Sequence, residues 1–202
     1  MVGWRKHRGR AALLAMSNID TDQLIPARFM STPRSAGYGT YLLHDLRRTD
    51  TGALDAGFAL NAALGASVLV AGDNFGCGSS REAAVYALVD AGFRAVLAPS
   101  FGDIFASNAV NNGLLPAQID AAIFAKLQSP RTDFSAVTID LDTYRATFGQ
   151  DQIQFALEDT WRTKLINGWD DIDLTQAHSA DIAAYRSTYH TRNPWAAIPP
   201  RD

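Results

Sequence analysis

Cysteine is almost absent from this chain of 202 residues: only Cys77 is present. An intrachain disulfide is excluded, and such sparse cysteine fits a reducing compartment, so a cytoplasmic location is expected. One thiol cannot hold an iron–sulfur cluster, which takes several thiolates. The four histidines, His7, His44, His178 and His190, are scattered without the spacing of a structural zinc site. No metal or cofactor is expected on this chain itself. Long apolar runs are also missing, none approaching the roughly 20 residues that span a bilayer. Charge of one sign is not in excess, with 18 Lys plus Arg against 21 Asp plus Glu and a net charge of −3. Neither nucleic acid nor an anionic membrane is drawn by such a balance. The one basic patch, Trp4-Arg5-Lys6-His7-Arg8-Gly9-Arg10, runs into an apolar stretch (Ala11 to Met16) too short for a secretory segment. It is expected to be the solvated start of a first strand.

What is present reads as one α/β domain over residues 1–190, with 191–202 as a loose tail. Ser67 to Gly72 is a short apolar run ended by a turn, which predicts a buried strand. Glu82 to Ala91 is rich in helix formers and stopped by Gly92. Phe93 to Ala98, ended by Pro99, predicts a second buried strand. Strand, helix and strand within about thirty residues make a parallel βαβ unit. Further helices are predicted over Asp103–Asn112, Ala121–Gln128, Asp159–Asn167 and Thr175–Arg186, with a short β-meander over 137–157. Residues 26–60 carry Pro26, Pro33, Gly37, Gly39, Gly52 and Gly57 among scattered aromatics. A connection that long within a compact domain is usually functional or mobile.

The densest chemistry lies in Asp73-Asn74-Phe75-Gly76-Cys77-Gly78-Ser79-Ser80-Arg81-Glu82, between predicted strand and predicted helix. That is the carboxyl end of a parallel strand, where open α/β sheets bind ligands. Gly76 and Gly78 permit close backbone approach, the helix start offers free N–H groups, and Arg81 offers a planar fork for a carboxylate. All of this favours a small anion. Nucleotides are disfavoured: the Walker pattern needs Lys where Ser79 stands, and the dinucleotide fingerprint needs Gly where Arg81 stands. Ser79 has two compatible readings. Ser79-x-x-Glu82 is a capping box, so Ser79 serves the helix end, or its oxygen is activated by the same N–H groups and Arg81. Cys77, between two glycines, reads as a small spacer rather than a nucleophile.

The stretch Phe75 to Glu82 closely resembles the serine–arginine signature of the swivelling domain of the aconitase superfamily. Asn18-Ile19-Asp20-Thr21-Asp22-Gln23-Leu24-Ile25-Pro26-Ala27-Arg28 is similar to the early Thr-Asp motif of that superfamily. Ala98 to Phe105, continuing through Asn111-Asn112-Gly113-Leu114-Leu115-Pro116, resembles the segment after its second strand. The likeness runs in order from about Lys6 to Arg186 and points to the small-subunit family of isopropylmalate isomerases, of leucine biosynthesis. It implies a single three-layer swivelling β/β/α domain. It also implies a separate large subunit holding a [4Fe–4S] cluster, and a small dicarboxylate as substrate.

Carried over by resemblance, Ser79 is the base that moves a proton next to a carboxylate, Ser80 assists by hydrogen bonding, and Arg81 pairs with a substrate carboxylate. The cluster in the partner would act as Lewis acid on the hydroxyl. Gly78, Thr21 and Asp22 match positions bordering the substrate; for Thr21 and Asp22 the alternative is an Asx-type turn at a strand end. Asp20 and Asp22 as metal ligands have weak support, because no further carboxylates follow at ligand spacing. Arg34 and Tyr38 fall in the likeness of a substrate-recognition loop, with spacing shifted by one inserted residue. Ile25, Phe29, Tyr38 and Leu42 are candidates for an isopropyl pocket. The family pattern continues with histidine after Arg-Glu, where this chain has Ala83. A related hydro-lyase acting on citraconate-, dimethylmaleate- or homoaconitate-type acids, and a non-catalytic partner module, are the competing readings.

Overall fold

The structure is a computed structural model describing residues 2–79, 81–130 and 132–196. The basic patch opens strand β1 (Lys6–Leu14), whose first half alternates between exposed and half-buried positions. Lys6 pairs with Asp140 at 2.9 Å and Arg5 with Asp142 at 3.0 Å, so two of its charges are met by neighbouring acids. At Arg10/Ala11 the register shifts and the strand changes role. Its first half pairs antiparallel with β5 (Val137–Asp140); its apolar second half pairs parallel with β2 (Ala66–Ala71).

β1 thereby joins two half-sheets into one seven-stranded sheet of order β4-β3-β2-β1-β5-β6-β7. On one side, β2, β3 (Ala95–Ala98) and β4 (Leu115–Gln118) run parallel. On the other, β5, β6 (Arg145–Phe148) and β7 (Asp151–Gln154) form the expected antiparallel meander. In β2 the alternation of period two divides the strand between two cores. Leu69 and Ala71 enter one, Val68 and Val70 the other, and all four are fully buried. Each such Val or Leu contributes about 1.5–3 kcal/mol of apolar burial.

The short helices α1 (Thr21–Leu24) and α2 (Ala59–Ala62) flank the long connection. The helix α3 (Glu82–Asp90) joins β2 to β3 and closes as expected, with Phe93 N–H donating to Leu88 O at 3.0 Å. Then come α4 (Asp103–Asn111), α5 (Ala121–Leu127) and α6 (Asp159–Asn167), close to their expected bounds.

The C-terminal region differs from the sequence expectation. Instead of one helix over 175–186 there are two, α7 (Asp171–Gln176) and α8 (Ser179–Arg192). The earlier start is set by Asp170, whose carboxylate accepts from the N–H groups of Ile172 and Asp173, while Asp173 accepts from Asp170 N–H. Helix therefore extends past residue 190 to Arg192, followed by a 3-10 turn at Pro194–Ala196. Residues 197–202 lie outside the described residues.

Residues 26–60 contain three 3-10 turns, at Ala27–Phe29, Arg34–Ala36 and Tyr38–Tyr41. Leu42, Leu43 and Leu60 anchor the connection in the core beside Leu88 of α3. Leu43 N–H donates to Leu24 O at 2.9 Å, tying it back to α1.

Candidate active site

Three loops meet at the carboxyl ends of β1, β2 and β3, and each contains one of the motifs singled out in the sequence. Backbone hydrogen bonds stitch the loop after β1 to the loop after β2: Asn18 N–H to Asp73 O at 2.8 Å, Gly76 N–H to Ile19 O at 2.7 Å, and Thr21 N–H to Cys77 O at 3.0 Å. The loop after β2 is stitched to the loop after β3 by Phe75 N–H to Ser100 O at 3.0 Å and Gly102 N–H to Phe75 O at 2.9 Å. Side chains reinforce this frame. Ser100 Oγ donates to Asp73 at 2.5 Å and accepts from Asn74 N–H at 2.9 Å; Asn74 Nδ2 donates to Asn18 Oδ1 at 2.9 Å. Asn18 and Asn74 both hold positive φ, a conformation in which Asn is enriched. At Gly76, also at positive φ, an added Cβ would run into the Phe105 ring, so no side chain fits.

On this frame Gly78 and Ser79 are exposed, at the start of α3. Ser79 presents its carbonyl to Thr21, whose buried hydroxyl donates to it at 2.5 Å. The expected capping box at Ser79-x-x-Glu82 does not form. The helix begins at Glu82, Arg81 is the N-cap residue in extended conformation, and no side chain caps it. The reason is tertiary: the Thr21 bond holds the Ser79 backbone outside the helix. In the first turn of α3 the Ala84 N–H donates to Arg81 O at 3.1 Å, and the partial positive charge of the helix start lies close after the serine in the chain. The Arg81 guanidinium is an ion-pair partner of the Asp22 carboxylate. The Arg81 side chain is only 21% exposed, its Asp22 partner 52%. Pairing through one Nη1 leaves further donors of the five-donor fork for a second anion. Ser80 lies outside the described residues.

Thr21 and Asp22 thus meet the Ser79–Arg81 turn, Thr21 through the backbone and Asp22 through charge. The alternative turn reading belongs instead to Asp20. Its carboxylate accepts from Gln23 N–H at 2.7 Å while Gln23 accepts from Asp20 N–H at 2.9 Å, a capping box visible in the sequence as Asp-x-x-Gln but not singled out there. The Asp73–Ser100–Asn74–Asn18 chain was also missed; its only sequence signal is that the Ser and Asn residues fall inside the three motifs. Glu82 accepts from Asn112 Nδ2 at 2.9 Å, which links the third motif to the start of α3.

Arg34 and Tyr38 are placed elsewhere. Arg34 bonds to Asp90 at 2.9 Å, with its guanidinium carbon 3.9 Å from the centre of the Tyr86 ring. The Asp90 hydrogen bond pushes its pKa up. Asp90 is the last residue of α3, about 12 Å along the axis from Glu82. Arg34 therefore lies along the flank of the helix, not at its start. Tyr38 is buried, and its hydroxyl donates to Thr32 O at 2.8 Å. Ile25 and Leu42 are buried in the same core, and Phe29 stacks on Tyr41 at 4.2 Å. Ile25, Tyr38 and Leu42 are thus core residues in this structure, and Phe29 packs half-buried against that core. Ala83 packs half-buried against that core. Cys77 is half-buried, with its backbone bridged to Asp20.

Among the described residues no three His, Cys, Asp or Glu side chains come together as a metal site, and one thiol does not fit an iron–sulfur cluster. No described helix is long and apolar enough to cross a membrane.

Comparison with known proteins gives the family of the chain. The family described as aconitase C-terminal domain matches residues 1–122, more than half of the chain. The 3-isopropylmalate dehydratase small subunit of Rhodospirillum centenum is 45% identical over 193 residues, covering 93% of this chain and 95% of that protein. The protein of the same name from Shewanella oneidensis is 44% identical over 192 residues, covering 90% and 94%. Among solved structures, a 3-isopropylmalate dehydratase from Methanocaldococcus jannaschii superposes with a TM-score of 0.64 at 28% identity, covering 89% of this chain and 99% of that one. The mixed sheet is thus that of a known fold, and the chain belongs to the aconitase C-terminal-domain family, among the 3-isopropylmalate dehydratase small subunits.

Proposed function

We propose that this chain works with a large partner subunit as a hydro-lyase that interconverts 2-isopropylmalate and 3-isopropylmalate through isopropylmaleate, in leucine biosynthesis. The observation that carries the reaction is the exposed Ser79 at the positive end of α3, next to a guanidinium oriented by Asp22. The names of the relatives support the substrate and the partner.

A serine oxygen is a weak base unless its anion is stabilised. The partial positive charge at the start of α3 and the Arg81 charge provide that stabilisation. In the dehydration direction, Ser79 Oγ takes the proton from the carbon next to a carboxylate. Arg81 binds that carboxylate with the donors Asp22 leaves free and favours the negative charge that develops on it. The proton on Ser79 returns to the neighbouring carbon when water adds back. Thr21 positions Ser79 through its carbonyl, and Gly78 leaves the approach open. Ser80 is assigned the assisting hydrogen bond. The [4Fe–4S] cluster that the resemblance implies is assigned to the large subunit, where it would supply the Lewis acid for the hydroxyl.

The test is Ser79→Ala in the reconstituted pair. Turnover of isopropylmaleate is expected to fall by about 10²–10⁴-fold, the usual worth of a general base, with assembly and thermal unfolding unchanged. Full retained activity would sink the assignment. A panel of smaller diacids decides the substrate: turnover of citraconate or dimethylmaleate without isopropylmaleate would identify a related hydro-lyase.

A further inference from the structure

The third motif ends in Asn111-Asn112-Gly113, and nothing in the chemistry assigned to Ser79 and Arg81 uses it. It nevertheless touches the start of α3. Asn112 Nδ2 donates to Glu82 Oε1 at 2.9 Å and to Asn108 O, one turn back in α4, also at 2.9 Å. The second bond fixes the amide against its own helix. The neighbouring Asn111 accepts from Lys164 Nζ at 2.5 Å and donates to Asp171 at 3.2 Å. Lys164 also donates to Asp171 at 2.6 Å, and its side chain is only 3% exposed. A buried charge thus binds this end of α4 to α6 and α7, and Asn112 meets Glu82 from a fixed support.

Glu82 follows Arg81 directly and is the acidic side chain in the first turn of α3. A carboxylate there favours the helix, but it works against the turn that precedes it. It weakens the positive potential near Ser79, and a free carboxylate one residue from Arg81 competes with a substrate carboxylate for the guanidinium. The structure turns that charge elsewhere. Among the described residues Glu82 forms no ion pair, and the ion-pair partner of Arg81 is Asp22. The Glu82 carboxylate lies toward Tyr86, one turn along α3: burial, and then a hydrogen bond with Glu82, pushes the Tyr86 hydroxyl up. Its charge also reaches Arg34, beside that ring, where it adds to the larger upward push from Asp90.

We infer that Asn112 is a positioning residue for the reaction: its amide holds the Glu82 carboxylate back along α3 and so keeps the Arg81 fork open for a substrate carboxylate. This rests on the reading of Ser79 and Arg81 as the reacting pair. Asn112 does not touch the substrate; it acts through the charge it holds. Removing its donor leaves Glu82 with Tyr86 alone and frees the carboxylate to swing toward the guanidinium. A carboxylate so placed weakens substrate binding and leaves the proton transfer at Ser79 largely as it was. The effect falls on KM rather than on kcat.

Steady-state kinetics on isopropylmaleate test this, with the chain reconstituted with the large 3-isopropylmalate dehydratase subunit of the same organism. Two variants remove the donor: Asn112→Ala, and Asn112→Asp, which keeps the shape of the side chain. Each is expected to raise KM about tenfold, the lower end for a charged hydrogen bond, with kcat within about twofold of wild type. Circular dichroism and thermal unfolding establish that each variant is folded before its kinetics are read. Adding Glu82→Gln to Asn112→Ala removes the competing charge and should return KM to that of Glu82→Gln alone. A bond that merely ties α4 to α3 gives no such rescue, since the double variant has lost both partners. A persisting defect in the double variant therefore overturns the inference, and so does an unchanged KM in both Asn112 variants. Full turnover in Ser79→Ala defeats the reading of the site itself. Loss of turnover in Ser79→Ala, without rescue by Glu82→Gln, defeats only the role given to Asn112.

Discussion

Two irregular regions flank α3, and they use their residues in opposite ways. The turn from Asp73 to Arg81 is held by its backbone: its amides and carbonyls are tied to the loops after β1 and β3, and Ser79 is left exposed. The connection from 26 to 60 is held by its side chains: Leu42, Leu43, Leu60 and Tyr38 are buried, and Arg34 is committed to Asp90 and Tyr86. The first arrangement fixes the Ser79 position in space without covering it; the second covers apolar surface. Both are rich in glycine and polar residues, so composition does not distinguish them. What separates them is whether the anchoring groups lie on the main chain or on the side chains.

That contrast can be broken from either side. The largest effect is expected for Ser79→Ala, which should remove most of the turnover and leave stability untouched. Next, Leu42→Ala should do the reverse, costing about 2–5 kcal/mol of stability, as for a fully buried leucine. Denaturant unfolding reads the loss, while turnover per folded complex stays near wild type. A large fall in turnover at full folding would show that Leu42 lines a substrate pocket in the assembled enzyme. Arg81→Lys keeps the charge but loses the planar fork. It should lower kcat/KM by about 10–100-fold, the worth of a charged hydrogen bond of roughly 1.5–3 kcal/mol.

Arg34→Ala is expected to cost only about 0.5–1 kcal/mol, because its ion pair and its contact with Tyr86 are largely solvent-screened. A rise in KM of tenfold or more would instead place Arg34 on the substrate. Smallest is a pH effect in the connection. Hydrogen bonds from Arg28, then from His44, hold the Asp45 carboxyl down at about 2. A carboxyl depressed in the folded state stabilises it above its ordinary value near 4, and the contribution fades as pH falls from there towards 2. Thermal unfolding of Asp45→Asn should therefore differ from wild type at pH 7 and converge with it near pH 2.

Much of the architecture was legible in short windows. The β2 run and the helix over Asp159–Asn167 were expected within a residue or two and the meander after Val137 within three, since strand and helix periodicity and their stop signals are local. The later start of α3 was not, because a partner 58 residues away, Thr21, takes the Ser79 carbonyl and the expected capping box does not form. That Ile25, Tyr38 and Leu42 are buried was not legible for a similar reason: an apolar side chain in a glycine-rich connection looks the same whether it faces a ligand or the core.

By itself the sequence determined the alternation of strand and helix, the exclusion of an intrachain disulfide, and where the glycine- and serine-rich turn between β2 and α3 falls. Those follow from residue type and neighbours along the chain. Only the tertiary structure decided that Asp22 holds Arg81, that Ser79 stays outside the helix it precedes, and that Arg34 lies along the flank of α3. Each of those depends on groups distant in sequence meeting at a strand end or helix face, where hydrogen-bond geometry and burial outweigh local preference.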